Sequence, residues 1–163
     1  MLTCNSLIKY FGQSLDSKSF QTYLAEHFSD LTEYDIFDDY ISSEKCGIEL
    51  GFTNDTAVFD DDTQMVFEKG DPIFSHFNLY PISANFINNL PFNLSLENSR
   101  DQIHKIAGLP TKTREGYLES LQKHFRVDNY QMEDIVISFD YDPETNNLIF
   151  MQVRSSTLTN MEV

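Results

Sequence analysis

The segment Leu90-Pro-Phe-Asn-Leu-Ser-Leu-Glu-Asn-Ser-Arg-Asp-Gln-Ile-His-Lys-Ile-Ala-Gly-Leu-Pro110 predicts a short helix with well-defined ends. Ser99 is a preferred N-cap residue, and Gln102, three positions later, completes a capping box. An apolar face, a glycine stop and a following proline complete the pattern. No side chain here resembles a catalytic group, so we interpret the segment as scaffold. The apolar face consists of Ile103 with Ile106 or Ala107, the glycine stop is Gly108, and the following proline is Pro110.

The chain before this segment predicts two helices and then a run of strands. Residues 5–11 form a short amphipathic helix that Gly12 ends, and Asp16 or Ser17 caps a second helix with a buried stripe. From about residue 34 the apolar period changes toward two, which predicts an antiparallel meander. The stripe is Phe20, Tyr23, Leu24, His27 and Phe28, and the strands are Tyr34–Ile41, Cys46–Phe52, Thr56–Phe59, Gln64–Phe67 and Phe74–Tyr80.

The chain after this segment predicts one more helix, three strands and a tail. The helix spans Arg114–Phe125 because Leu118, Leu121 and Phe125 recur at helical spacing. Residues 142–146 form a polar hairpin loop between the last two strands, and residues 155–163, which have no clear period, form a mobile tail. The predicted strands are Phe125–Asn129, Asp134–Tyr141 and Asn147–Arg154.

The two halves of the chain show the same predicted order of elements. Leu7–Gly12 is similar to Ile103–Gly108, and Gly47–Phe52 is similar to Ile135–Phe139. We infer an α+β fold with two degenerate helix-helix-antiparallel-sheet repeats, residues 5–80 and 90–154, packed as one compact domain over residues 1–154. The two sheets are expected to join edge to edge, with the helices on one face.

Composition favours an acidic protein that binds a partner and whose two cysteines are reduced thiols. The net charge is −15, and residues 31–80 hold 12 acidic residues against 2 basic ones. Such a field repels nucleic acid and attracts basic protein surfaces, although acidic residues also serve solubility alone. Cys4 and Cys46 have no metal-ligand or disulfide pattern. The chain shows no signal peptide or spanning segment, so we expect a cytoplasmic location and no membrane contact.

No motif in the sequence specifies an enzyme, a cofactor or a metal site. Residues 140–151 begin like a calcium loop, but Thr145 replaces its glycine and Met151 its final glutamate. The run Asp60–Asp62 with Glu68 is typical of an acidic turn, and a metal-dependent hydrolase remains the third hypothesis. The four histidines lack metal-ligand spacing, and there is no GxSxG elbow, phosphate loop or dinucleotide fingerprint. We therefore expect a protein that is not an enzyme.

The remaining hypothesis is a recognition surface in the first half of the chain. Acidic residues alternate with aromatic rings there, so carboxylates can steer a basic partner while rings supply buried contact. The competing interpretation is that the rings point into the sheet core while the acids face water. The predicted partner-binding residues are Asp35, Asp38, Asp39, Tyr40, Asp60, Asp61, Asp62, Glu68, Asp71 and Phe74.

The patterns Leu90–Leu96, Asn98–Ile103 and Ala107–Pro110 resemble the helix-loop motif that opens repeats in the β-lactamase inhibitor protein-like superfamily. With the strands Gly47–Phe52 and Phe74–Tyr80, the chain is similar to small acidic immunity proteins of bacterial polymorphic toxin systems. The resemblance implies a protein that binds a cognate toxin, such as a basic nuclease domain, and occludes its active site. It assigns no individual residue. The alternative is an inhibitor or adaptor of a host enzyme on the same scaffold.

Overall fold

The computed structural model describes residues 2–35, 39–54, 58–59, 65–66 and 70–159. The helices are α1 (Cys4–Ile8), α2 (Lys18–His27) and α3 (Arg100–Ala107), with short 3-10 turns at Pro81–Asn85 and Pro91–Asn93. The strands are β1 (Leu2–Thr3), β2 (Tyr40–Ser43), β3 (Ile48–Asn54), β4 (Val58–Phe59), β5 (Met65–Val66), β6 (Pro72–Leu79), β7 (Ile87–Asn88), β8 (Lys112–Leu118), β9 (Lys123–Met132), β10 (Ile135–Tyr141) and β11 (Leu148–Ser155).

A seven-stranded antiparallel sheet organises the fold. Its order is β2-β3-β6-β11-β10-β9-β8, so β6 and β11 are the strands where the two halves of the chain meet. The pairs β1–β7, which is parallel, and β4–β5 lie outside this sheet. The mixed α+β class and the antiparallel sheet predicted from the sequence are confirmed.

All three helices contact the same face of the sheet, which we call the core face. Phe20 of α2 stacks on Phe74 with ring centroids 5.0 Å apart, and Phe11, just after α1, lies 5.1 Å from the same ring. At the other end, Arg100 of α3 reaches Asp128 of β9. Apolar side chains that are almost wholly buried fill the space between helices and sheet. Their burial is the main force that holds the two layers together.

Local sequence fixes the helix starts. In α1, Thr3 and Ser6 cap each other, since the Ser6 amide donates to Thr3 Oγ1 at 3.1 Å and the Thr3 amide donates to Ser6 Oγ at 3.2 Å. In α2, Ser17 Oγ accepts from the Phe20 amide. In α3, Gln102 Oε1 accepts from the Ser99 amide at 2.8 Å, as the sequence predicts.

The opposite face of the sheet, which we call the polar face, carries a continuous row of polar side chains. The row contains one residue from each strand, and register places them side by side. Hydrogen bonds between side chains join three of its six neighbouring pairs: Asn78 Nδ2 donates to Glu49 Oε2 at 2.9 Å, Gln152 Nε2 to Asn78 Oδ1 at 3.0 Å, and Ser138 Oγ to Asn129 Oδ1 at 2.6 Å. We call it the polar row: Ser42, Glu49, Asn78, Gln152, Ser138, Asn129 and Lys112.

A β-bulge lies where β3 meets β6. Gly51 pairs with His76 but Phe52 pairs with Phe74, so Ser75 is the extra residue. The bulge puts Phe74 on the core face together with Phe77, three positions away, and leaves His76 on the polar face. Gly51 is required here because a Cβ atom at this position would overlap the His76 ring.

The predicted helix at Arg114–Phe125 is wrong. These residues form most of β8, the turn after it and the start of β9, which pair as an antiparallel hairpin. Gly116 is unfavourable inside a helix. Because glycine has no side chain, the Phe125 ring can lie 3.1 Å from the point where a Cβ atom of residue 116 would be. The apolar spacing that suggested a helix is not a buried stripe, because Leu118 and Leu121 are 42% and 69% exposed.

Other boundaries differ from the sequence predictions by smaller amounts. The strand predicted over Tyr34–Ile41 begins only at Tyr40, and residues 34–35 are irregular. The polar hairpin loop at residues 142–146 is confirmed, since the Asn146 amide donates to the Asp142 carbonyl at 2.8 Å. Of the predicted tail, Ser155 ends β11, residues 156–159 form a turn, and residues 160–163 lie outside the described part of the chain.

Replacement of Tyr141 by phenylalanine is expected to raise the free energy of unfolding by about 1 kcal/mol. Tyr141 is fully buried, and its hydroxyl has no hydrogen-bond partner among the described residues. Removing an unpaired buried hydroxyl removes its desolvation cost. Urea denaturation measures the change.

Tyr130→Phe is the matched control, because the Tyr130 hydroxyl donates to the Gly108 carbonyl at 3.0 Å. We expect this variant to lose about 1 kcal/mol. If Tyr141→Phe is destabilised to the same extent as Tyr130→Phe, the Tyr141 hydroxyl has a partner and the prediction is wrong.

Candidate partner-binding surface

The structure places some of the predicted partner-binding residues near the β2 edge of the sheet. Tyr40 begins β2, and Asp39, just before it, accepts a hydrogen bond from the Tyr34 hydroxyl at 3.3 Å. Asp35 is exposed in the loop that leads to β2, and Asp71 is exposed immediately before β6. The remaining acidic residues of the prediction lie outside the described residues: Asp38, Asp60, Asp61, Asp62 and Glu68.

Phe74 is a core residue and is removed from the predicted surface. Its exposed fraction is 0%, and its ring packs against Phe20, Phe52 and Phe11. The alternation of acids and aromatic rings does not distinguish a ring that faces a partner from one that faces the core. For Phe74 the competing interpretation, that the ring points into the core, is correct.

The segment before β2 extends the sheet edge. The Thr32 amide donates to the Ser42 carbonyl at 3.0 Å, and the Ser42 amide donates to Thr32 Oγ1 at 2.9 Å. Asp30 anchors the segment, because its carboxylate accepts from Ser43 Oγ at 2.6 Å and from the Lys45 amide at 3.0 Å. These bonds lower the pKa of Asp30 and keep it ionised.

This end of the sheet carries a concentration of carboxylates, which we call the acidic edge: Asp30, Glu33, Asp35, Asp39, Glu44 and Glu49. Only Lys45 opposes them within residues 30–49. Asp30, Glu33, Asp35 and Glu44 are exposed, whereas Asp39 and Glu49 are half-buried. Like charges held this close together give a local negative potential that a cationic surface relieves.

A shallow depression lies between the acidic edge and the polar row. Its volume is about 510 Å³, and its wall includes two carboxylates, those of Glu33 and Glu49. Glu49 is oriented by Asn78 and by the Tyr80 hydroxyl, which donates to Glu49 Oε2 at 3.0 Å. Desolvation, followed by the charge of Glu49, raises the pKa of Tyr80 to about 12. The other lining residues are Thr32, Tyr40, Ser42 and Asn78.

Tyr40 and His76 form a polar pair beside this depression. His76 Nε2 lies 2.8 Å from the Tyr40 hydroxyl, and His76 Nδ1 lies 2.9 Å from Ser75 Oγ. Burial, followed by the charge of the nearby Arg154 guanidinium, lowers the pKa of His76 to about 4. His76 is therefore neutral at pH 7 and adds a hydrogen-bonding group without charge.

Comparisons with protein families, with characterised proteins and with solved structures find no match to this chain. No group of three or more His, Cys, Asp or Glu side chains within the described ranges could hold a metal ion. No helix in the same ranges is long and apolar enough to cross a bilayer.

A separate charged cluster joins α3 to the sheet. Asp128, which is 0% exposed, accepts from Arg100 Nε at 2.7 Å and Nη2 at 3.0 Å, and from Thr113 Oγ1 at 2.6 Å. His104 Nε2 lies 2.8 Å from the same carboxylate. Desolvation raises the pKa of Asp128, but these hydrogen bonds outweigh it and hold the pKa below its usual value. Both oxygens of the carboxylate already have partners within the protein. We therefore assign this cluster a structural role, which is to hold α3 against the sheet.

The hairpin of β8 and β9 forms the other edge of the sheet and is strongly exposed. Every residue of β8 is exposed, and Tyr117 near its end is 50% exposed. Its charge is also unlike that of the acidic edge, because four basic residues lie within it: Lys112, Arg114, Lys123 and Arg126. The sheet is therefore acidic at its β2 end and carries most of its bases at its β8 end.

Sequence reasoning missed Glu33, Glu49 and the polar row. A signal for Glu49 exists in the sequence, since it alternates with Ile48 and Leu50, which are both buried. The row itself depends on strand register, because its members come from seven strands. Register follows from pairing over the whole sheet and is not encoded in any one segment.

Proposed function

We propose that this protein is an immunity protein that binds a cognate bacterial toxin and blocks the toxin's active site. The acidic edge is the docking surface, and the partner domain is basic, as in a nuclease. The observation that carries the proposal is the depression at this edge, where Glu33 and Glu49 face one space of about 510 Å³. Two carboxylates beside neutral hydroxyl and amide groups suit a lysine or arginine side chain of the partner.

Charge and packing have different roles in this complex. The net charge of −15 accelerates encounter with a cationic domain, since complementary fields raise association rates. The half-buried Tyr40, held by His76, supplies ordered contact area beside the carboxylates. An acidic cover on a cationic active site excludes a negatively charged substrate both by occupancy and by repulsion.

The scaffold in this proposal is a duplicated unit of the β-lactamase inhibitor protein-like kind. The arrangement of strands supports it, since each half is a meander whose last strand, β6 or β11, lies at the junction. The similar segments Gly47–Phe52 and Ile135–Phe139 belong to β3 and β10, each of which lies second from that junction. The second half differs by having one helix, α3, followed by four strands.

The double variant Glu33→Lys, Glu44→Lys is expected to lower the association rate with the toxin about tenfold at low salt, with little change in dissociation rate. Both residues are exposed, so the change alters charge and leaves packing intact. The partner used is the product of the adjacent gene. Surface plasmon resonance measures the rates, and rescue of cells that express the toxin measures protection.

Glu119→Lys is the control, because it makes one of the same Glu-to-Lys changes, half the charge change of the double variant, on an exposed residue of the opposite edge. We expect its association rate to stay within about twofold of the wild type. The lysine variant of Asp60, Asp61 and Asp62 tests the acidic run found in the sequence. The immunity function would be contradicted if the product of the adjacent gene did not bind this protein and stayed toxic to cells that express it. Binding that is unchanged in all the lysine variants would contradict the acidic docking surface.

A further inference from the structure

Arg154 occupies the centre of the polar face. It lies on β11, where it pairs with His76 of β6 on one side and with Val136 of β10 on the other. Its exposed fraction is 9%, although it is on the face opposite the three helices. Arginine is rarely buried to this extent unless a carboxylate, a phosphate or a metal-bound group accompanies it.

One side of the Arg154 guanidinium is hydrogen-bonded within the protein, and the other makes no hydrogen bond to the described residues. Nη1 donates to Ser138 Oγ at 3.0 Å and to Gln152 Oε1 at 3.4 Å. Nε is buried and has no hydrogen-bond partner among the described residues, and Nη2 makes no hydrogen bond to them either. The Nε–Nη2 edge is the side of a guanidinium that binds a carboxylate through two parallel hydrogen bonds.

No carboxylate of the described residues forms an ion pair with Arg154. Glu49, the acid of the polar row, is two strands away and is held by Asn78 and Tyr80. Desolvation lowers the pKa of Arg154, and the charge of Arg114 lowers it further. Both effects disfavour the charged guanidinium as long as no anion accompanies it.

The neighbouring groups favour a monoanion. His76 is neutral, and Ser138 and Gln152 contribute uncharged polar atoms, so the site offers one full positive charge at close range. A carboxylate matches that charge and the planar Nε–Nη2 edge, whereas a phosphate dianion would add a second charge to an acidic protein. The buried Nε marks the place where an acceptor is missing.

We propose that Arg154 is the centre of a binding site for the carboxylate group of a small organic anion, which the Nε–Nη2 edge of the guanidinium holds side-on. This site is independent of the acidic edge and of the proposed toxin partner. The anion lies on the same face of the sheet as the depression at Glu33 and Glu49, which is proposed to receive a cationic side chain of the toxin.

Acetate is the probe that tests the site. The full chain is titrated with sodium acetate at constant ionic strength, with chloride as the replaced anion, and the Arg154 Nε–H resonance is followed by NMR. We expect a saturable shift of that resonance and a rise in Tm of about 4 °C at ten times the Kd. Arg126→Met is the control, since Arg126 is already paired with Glu115 at 3.1 Å, and it should retain the full response.

Arg154→Met separates a ligand site from a structural role. The variant should lose the acetate response, and its Tm in chloride buffer should equal or exceed that of the wild type, because an apolar side chain of similar length avoids burying an unpaired charge. A fall in Tm of more than about 4 °C would show that the bonds to Ser138 and Gln152 are structural, and would overturn the proposal. An acetate response that is absent in the wild type, retained in Arg154→Met or equalled by inorganic phosphate would also overturn it.

Discussion

Replacement of Asp128 by alanine is expected to lower the free energy of unfolding by about 3 kcal/mol, the lower end of the range for breaking a buried ion pair. The wild-type carboxylate is completely buried and accepts hydrogen bonds from Arg100 and Thr113 while His104 contacts it. Alanine removes every one of these contacts. The loss is not larger because the Arg100 side chain is 22% exposed and can rehydrate. Urea denaturation followed by circular dichroism gives the value.

Glu115→Ala is the matched control for this prediction. Glu115 also pairs with an arginine, Arg126, at 3.1 Å, but its side chain is 63% exposed. Ion pairs on the surface contribute little, so we expect a change below about 0.5 kcal/mol. Equal losses in the two variants would show that burial of Asp128 is not what gives its contacts their strength.

The contribution of Asp128 also depends on pH. Because the pKa of Asp128 is depressed in the folded state, its contribution is fully present above the unfolded pKa of about 4 and is lost as pH falls through the folded value. The part of the stability difference between wild type and Asp128→Asn that comes from the ionised carboxylate should therefore shrink as pH falls below about 4. A difference that grew as pH fell below about 4 would contradict the depressed pKa.

Replacement of Phe74 by alanine is expected to lower the free energy of unfolding by about 4 kcal/mol, as large-to-small changes in a core do. The Phe74 ring is fully buried and joins α2 to the sheet through Phe20 and Phe52. The bulge at Ser75 fixes its direction, so no rotation of the strand could fill the cavity. Thermal and chemical denaturation both measure the loss.

Phe150→Ala gives the comparison, because Phe150 is half-buried and makes its ring contact with Tyr80 at 5.7 Å. Its loss should be near 1 kcal/mol, about the value of one partly buried aromatic contact. The affinity of the variant for the partner distinguishes a core role of Phe74 from a role in the docking surface. A fully folded Phe74→Ala variant with unchanged stability and weakened binding would return Phe74 to the docking surface.

The sequence predicted elements whose signals are local. The ends of α3 follow from Ser99, Gln102 and Gly108, and the loop after β10 follows from its turn residues. The hairpin of β8 and β9 was missed because Leu118 and Leu121 have helical spacing. Its pairing depends instead on contacts between segments, such as the bond from Thr113 to Asp128.

The candidate site was less predictable than the fold. Charge counting found the acidic half of the chain, but it could not select Glu33 and Glu49, which come together only when the segment before β2 lies along the sheet. Phe74 was assigned to the surface because the local alternation of apolar and polar residues does not reveal the bulge that turns its side chain toward the core. Arg154 carried no signal because an isolated arginine in a strand is usually exposed.

The pairing of β6 with β11 has a consequence for the order of folding. Asn78 and Gln152 bond across this junction although they are 74 residues apart in the chain. Closing so long a loop costs about 2 kcal/mol more in chain entropy than closing a tight hairpin. We therefore expect each meander to assemble from short-range contacts first and their union to be the slow step. Until then β6 and β11 are unprotected strand edges in the nascent chain, and during this interval the protein is most exposed to misassociation.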